Sequence, residues 1–197
     1  MKNWIALFSQ TGSEIVEISK ILKRTPDYLI TNNYGDKIPI HAGIKDMNVP
    51  IITAEHKFLM ELLKRTTSFD PAVSFIYVSD KRKFEPLETL VTLQGYLRII
   101  PTEICDKYTI YNGHPANIEE YPELKGKDPQ ERTWINRERY PTIGSVVHRC
   151  TPELDGGEIV SRHYVNNTCS TKDALYQRLR ECSLHAWEIF LKEQLYA

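Results

Sequence analysis

Trp4-Ile5-Ala6-Leu7-Phe8-Ser9-Gln10-Thr11-Gly12-Ser13 is an apolar run closed by a polar glycine turn, and the helix pattern directly after it decides the fold. Ile15, Ile18, Ile21 and Leu22 recur at the spacing of one helix face. Strand, glycine turn and helix together make the opening of a βα unit. The pattern then repeats. Tyr28-Leu29-Ile30-Thr31 is a second strand, closed by Asn32-Asn33-Tyr34-Gly35-Asp36, and Pro50-Ile51-Ile52-Thr53 is a short third. Glu55 to Arg65 carries Phe58, Leu59, Leu62 and Leu63 at helical spacing. Val73 to Val78 is β-branched and aromatic and predicts a strand. Leu87 to Leu93, before Gly95, is a buried strand or a helix-to-strand junction. A short helix after Pro101 leads into a strand from Tyr108 to Tyr111. A long proline-rich, charged region over 115–141 is interrupted by a helix from Pro129 to Arg139. Ile143 to Arg149 and Glu158 to Val165 read as two strands of a hairpin-like return. Ser170-Thr171-Lys172-Asp173 starts a last helix with capping-box spacing. It runs to about Leu195 with Leu175, Leu179, Leu184, Trp187, Ile189 and Phe190 inward. Alternating strands and helices predict an α/β fold, a Rossmann-like, mostly parallel sheet with helices on both faces. Residues 1–197 form a single domain without repeats or an internal linker.

Composition narrows the function without fixing it. A hydrophobic share of 41% and a charged share of 26% are those of an ordinary globular protein. A net charge of −1 gives no electrostatic case for nucleic acid or an anionic membrane as partner. Cys105, Cys150, Cys169 and Cys182 form no C-x-x-C pair, so neither a zinc site nor a redox motif is indicated. Their scatter reads as reduced thiols, and the first apolar run is too short for a signal-peptide core or a membrane span. The expected location is the cytoplasm. A homodimer is left open.

Chemistry gathers in two places. Tyr111-Asn112-Gly113-His114-Pro115 supplies an amide and an imidazole, two residues apart at a strand end and therefore on one side of it. Glu153-Leu154-Asp155-Gly156-Gly157 supplies a carboxylate where two glycines allow a tight reversal. On their own, Asn-Gly and Asp-Gly-Gly are common turns. In an open α/β sheet, however, ligands bind beyond the carboxyl ends of the strands, where strand order reverses. The Thr11-Gly12-Ser13 turn, the Gly95 turn and Asn112/His114 all follow strands and are expected along that edge. An amide, an imidazole and a carboxylate meeting there would suit acyl transfer.

The residues from Leu93 to Ile159 resemble the catalytic half of the folate-dependent formyltransferases, the family of glycinamide ribonucleotide formyltransferase and of the N-terminal domain of methionyl-tRNA formyltransferase. Leu93-Gln94-Gly95-Tyr96-Leu97-Arg98-Ile99-Ile100-Pro101 resembles the family's glycine-led, pterin-holding segment. Asn112-Gly113-His114-Pro115 resembles its Asn-x-His-Pro motif. Gly144-Ser145-Val146-Val147-His148 and Leu154-Asp155-Gly156-Gly157-Glu158-Ile159 resemble its two later signatures.

The resemblance implies 10-formyltetrahydrofolate as co-substrate, no metal, and a small primary amine as acceptor. Glycinamide ribonucleotide leads the candidates, and a sugar nucleotide or another amine metabolite comes next. It implies Asn112, His114 and Asp155 as catalytic residues. Tyr96, Leu97, Arg98, Ile99, Cys150, Thr151 and Glu153 are the implied folate contacts, largely through backbone groups, with no chemical role for the Arg98 side chain. Thr11, Gly12 and Ser13 are the implied acceptor contacts, since a glycine turn feeding a helix N-terminus suits an anion. Glu14 stands where the glycinamide ribonucleotide enzymes have Asn, and Leu184 where they have a substrate-binding Glu. The loop from Asn117 to Gln130 is either solvated or an acceptor-selecting rim. In this scheme Asn112 donates to the formyl oxyanion. His114, with an ordinary pKa of about 6.5, needs Asp155 beside it to become a charged donor. A formyltetrahydrofolate hydrolase and a non-catalytic folate-binding relative are the rival readings.

Overall fold

The computed structural model describes residues 2–65 and 89–196, with the side chains of Leu62 and Arg65 left aside. The described strands form one sheet in the order β3-β2-β1-β4-β5-β6-β7. They are β1 (Asn3–Phe8), β2 (Tyr28–Thr31), β3 (Ile51–Thr53), β4 (Thr89–Leu93), β5 (Ile110–His114), β6 (Thr142–Arg149) and β7 (Ile159–Asn166). The pairs from β3 across to β5 are parallel, and β6 and β7 return antiparallel. The expected strand over Val73–Val78 lies outside the described residues.

Alternation along β1 builds two layers. Trp4, Ala6 and Phe8 enter one core with Ile15 and Ile18 of helix α1 (Ser13–Leu22) and Trp187 and Phe190 of α6 (Lys172–Tyr196). Ile5 and Leu7 enter the opposite core with Leu59 and Leu63 of α3 (His56–Arg65) and Ile104 of α4 (Thr102–Lys107). Successive strand residues face opposite sides, so one short apolar run serves both helical layers.

Several elements differ locally from the sequence reading. Ile21, Phe58 and Ile189 face solvent, while Val16 and Met60 are buried in their helices. An apolar residue one position off the true stripe fits the periodic pattern but misses the sheet. Tyr108 closes α4, its amide bonding to the Ile104 carbonyl, so β5 starts later and runs on through Asn112 to His114. The helix expected over Pro129–Arg139 is α5 (Pro129–Ile135) plus a 3-10 turn at Arg137–Arg139. Helix α6 is capped by Thr171, whose Oγ1 accepts from the Ala174 amide at 3.2 Å. A short helix, α2 (Ala42–Asp46), comes after the loop that leaves β2.

Candidate active site

The chain leaves β1 toward β2 and β3, then returns to β4 on the other side of β1. That reversal opens the crevice. Its two lips are tied together: the Gln94 amide donates to the Leu7 carbonyl and the Ser9 amide to the Gly95 carbonyl. The Leu97 amide adds a bond to Ser9 Oγ at 3.0 Å. The Thr11–Ser13 turn and the 95–99 segment are thus held at one edge, as expected.

Beside them, β5 presents two faces. Tyr111 packs on Phe190 of α6 with ring centroids 4.4 Å apart. Gly113 is so close to α6 that a Cβ there would stand 2.6 Å from Trp187 Nε1. Asn112 and His114 alternate with these and share their side with Ile110, which lies in the α3/α4 core. In the antiparallel register with β6, Asn112 sits opposite His148.

Asp155 arrives from the loop between β6 and β7. Its own φ of 49° is left-handed, a conformation Asp tolerates better than most residues. The strain therefore falls on the aspartate rather than on the glycines after it. Gly157 is needed for another reason: a Cβ would lie 1.9 Å from the Arg149 carbonyl oxygen.

These elements bring Asn112, His114 and Asp155 together and add His148. Asp155 Oδ2 lies 3.3 Å from His114 Nδ1, and Oδ1 lies 3.4 Å from His148 Nε2. The Gly126 amide donates to Asp155 Oδ2 at 2.8 Å. His114 Nε2 is 3.0 Å from the Leu124 carbonyl, His148 Nδ1 is 3.1 Å from the Arg149 carbonyl, and Asn112 Nδ2 is 3.3 Å from His148 Nε2. A carbonyl only accepts, so each ring directs an N–H at its carbonyl. In a neutral His114 ring the nitrogen facing Asp155 is then bare. One added proton would be held between carboxylate and ring.

Charge states result from burial. His114 is 5% exposed, and burial lowers its pKa below the ordinary value despite the pull of Asp155. The expectation that Asp155 would keep this ring charged is therefore corrected: desolvation outweighs the ion pair, and the resting imidazole is neutral. Burial alone would raise Asp155, but its contacts with His148, His114 and the Gly126 amide outweigh that and leave the carboxyl below its usual range. The pair rests as carboxylate and neutral ring.

The implied folate contacts are divided. The Tyr96 side chain is buried, and its hydroxyl lies 2.9 Å from Nδ1 of His56 at the start of α3. Leu97, Arg98 and Ile99 are exposed, Ile99 at 75%. Cys150 is half-buried against the α3/α4 core, and burial pushes its thiol up, so it stays a thiol. Thr151 Oγ1 donates to the Glu153 carbonyl, and the exposed Glu153 carboxylate lies 3.7 Å from Lys125.

On the α1 side, Gly12 caps the helix at a φ of 74°. Thr11 Oγ1 accepts from the Ser13 amide, and Ser13 Oγ accepts from Arg180 at 3.0 Å. Arg180 also pairs with Glu17 at 2.7 Å. Ser183 donates to Glu14 Oε1 at 2.6 Å, and burial pushes the Glu14 carboxyl up. Leu184 packs half-buried against the α1/α6 core and offers nothing polar.

Sequence reasoning gave no role to His148, Arg180 or Ser183. His148 had a readable signal, a histidine ending a strand beside that of Asn112. The two α6 residues had none, because their partners on α1 lie across the fold.

Among the described residues, no helix is long and apolar enough to cross a membrane, and no group of three or more His, Cys, Asp or Glu is placed to hold a metal ion. A family model described as formyl transferase matches residues 42–187. Comparison with curated protein sequences returns no match. Among solved structures, phosphoribosylglycinamide formyltransferase from Streptococcus pneumoniae superposes with a TM-score of 0.74 at 20% identity, all of both chains being covered. The enzyme of that name from Campylobacter jejuni gives 0.75 at 17% identity, covering 100% of this chain and 99% of that one. A formyltetrahydrofolate deformylase from Pseudomonas syringae gives 0.70 at 16% identity, covering 100% of this chain and 62% of that one. At these identities the superpositions establish a shared fold.

Proposed function

Because the chain belongs to the formyl transferase family, we propose that it moves a formyl group from 10-formyltetrahydrofolate to the primary amine of a small acceptor, with residues 1–197 acting as one catalytic domain. The observation that carries the reading is the meeting of Asn112, His114 and Asp155 at the sheet edge where such a ligand would bind. Glycinamide ribonucleotide is the first acceptor to test, since the bacterial enzymes that superpose over the whole chain carry its name.

The acceptor nitrogen attacks the formyl carbon, and negative charge gathers on the formyl oxygen. Asn112 Nδ2 has two hydrogens. One faces His148, and the other is free for that oxygen. Asp155, ionised at neutral pH, receives the proton that the attacking amine sheds, directly or through one water. His114 Nδ1 then steadies the proton beside the carboxylate. As the bond from carbon to N10 breaks, the proton passes to N10. A carbon–nitrogen bond forms, another breaks, and one proton is relocated. His114 contributes as a neutral ring whose bare Nδ1 faces the carboxylate.

The α1 side is the acceptor side. Helix amides near Ser13 favour an anion, whereas Glu14 and Glu17 oppose one unless Arg180 offsets them. Acceptor choice is written in that balance.

The test is to supply 10-formyltetrahydrofolate with a panel of amines, phosphorylated and not, and to monitor tetrahydrofolate and formylated product together. Transfer to one amine supports the reading. Formate release without any amine assigns the same residues to hydrolysis, and folate binding without turnover across the panel defeats catalysis.

A further inference from the structure

We propose that Arg132 is a positioning residue for formyl transfer: its guanidinium draws three successive carbonyls into one turn, and that turn holds both His114 and Asp155. The inference rests on the proposed formyl transfer and adds a residue to it. From the middle of α5, Arg132 Nη1 donates to the Glu123 carbonyl at 2.5 Å, and Nη2 to the carbonyls of Leu124 and Lys125 at 2.9 and 2.6 Å. The Leu124 carbonyl is the acceptor for His114 Nε2, and the Gly126 amide, next along the turn, donates to Asp155 Oδ2. One carbonyl with two lone pairs thus serves the clamp and the imidazole together.

The arrangement exceeds a surface staple. Arg132 Nε is buried without a partner, a cost that the three terminal bonds offset. The fork spans carbonyls that a lysine ammonium, a single compact charge, would not hold in the same geometry. By fixing the Leu124 oxygen, the clamp also fixes which His114 nitrogen carries hydrogen, and so keeps bare the one facing Asp155. Burial acts most strongly on His114 and lowers it; Asp155 and the Leu124 carbonyl favour its charged form, and His148 and Arg132 oppose it. Arg132 therefore adds its positive charge to burial in keeping the ring neutral.

The test compares R132M and R132K in the full chain with wild type, reading kcat and KM on the working amine and the pH midpoint of His114 by NMR of the ring. A misplacement of about 1 Å costs on the order of 100-fold, so R132M should lose about that in kcat with acceptor KM within about threefold. Its His114 midpoint should rise, because a positive charge has left. R132K should keep the midpoint, having kept the charge, yet lose kcat, having lost the fork. Folded R132M with wild-type kcat and an unmoved midpoint overturns the proposal. If R132M does not fold, R132K at wild-type kcat overturns it just as well. Should wild type transfer formyl to no amine, the functional reading fails, while the R132M midpoint still decides whether the clamp controls His114.

Discussion

The cluster around Asp155 and the turn at the start of α1 stand along the same edge of one sheet, yet they are held in different ways. Around Asp155 each ring and the carboxylate also has a backbone partner: the Gly126 amide and the carbonyls of Leu124 and Arg149. Around α1 the partners are side chains meeting side chains, Ser183 on Glu14 and Arg180 on Glu17 and Ser13. Backbone partners are groups that every residue supplies, which suits chemistry common to a family. Side-chain partners can be exchanged without refolding anything, which suits acceptor choice. Substitutions in the first region should then reduce turnover, and those in the second should redistribute acceptors.

This division is most vulnerable at the cluster. Asn112→Ala is expected to lower kcat by about 10²–10³, the usual loss for one oxyanion donor, with the fold retained by circular dichroism. A purified, folded variant at near-normal kcat would remove Asn112 from the mechanism. Next comes Gly113→Ala. Its methyl would press on Trp187 of α6, so the variant should lose about 1–3 kcal/mol in urea unfolding. Unchanged stability would show that α6 has room to give where it packs on β5.

Acid gives a third test. The folded pKa of His114 lies below its ordinary value of 6.5, so the unfolded chain binds the extra proton more readily. Stability from the neutral ring is full above about 6.5 and is lost as pH falls toward the folded value. Asp155, also depressed, gives stability that is full above the unfolded carboxylate value and lost only at lower pH, as pH passes through its folded pKa. The wild-type Tm should therefore decline from pH 7 to pH 5 more steeply than that of His114→Gln. Parallel curves would contradict a buried neutral ring.

The mildest change belongs to the α1 side. Glu14 has a raised folded pKa, so it penalises the fold as pH rises above the ordinary value of 4.5, and the penalty is absent below it. Glu14→Gln should melt higher than wild type at pH 8, with the gap closing toward pH 4.5. It should alter acceptor KM more than kcat. A kcat collapse with KM unchanged would place Glu14 in the chemistry and erase the distinction between the two regions.

Legibility in the sequence divides along a similar line. Most strands, the helices on both faces of the sheet and the edge where Asn112, His114 and Asp155 gather could be read, because alternation and turn residues report on backbone direction. The helix stripes were read one residue astray at Ile21 and Phe58, since periodicity gives the spacing of a face without its exact rotation. The charge of His114 could not be read, because burial decided it against a visible carboxylate. Arg132 was invisible for a related reason: its partners are carbonyls, which every residue has. Arg180 and Ser183 meet α1 from far along the chain, and no local pattern marks that encounter.

The proposed mechanism turns on one step, in which the Asp155 carboxylate carries the proton from amine to folate. Asp155→Asn keeps size and shape while removing that capacity. Single-turnover formyl transfer by this variant beside wild type, with both shown to bind folate equally, therefore probes the step itself. A proton-carrying Asp155 requires a rate lower by at least about 10²-fold with binding preserved, in line with the loss of one such catalytic group. Transfer at the wild-type rate by the folded asparagine variant would contradict it.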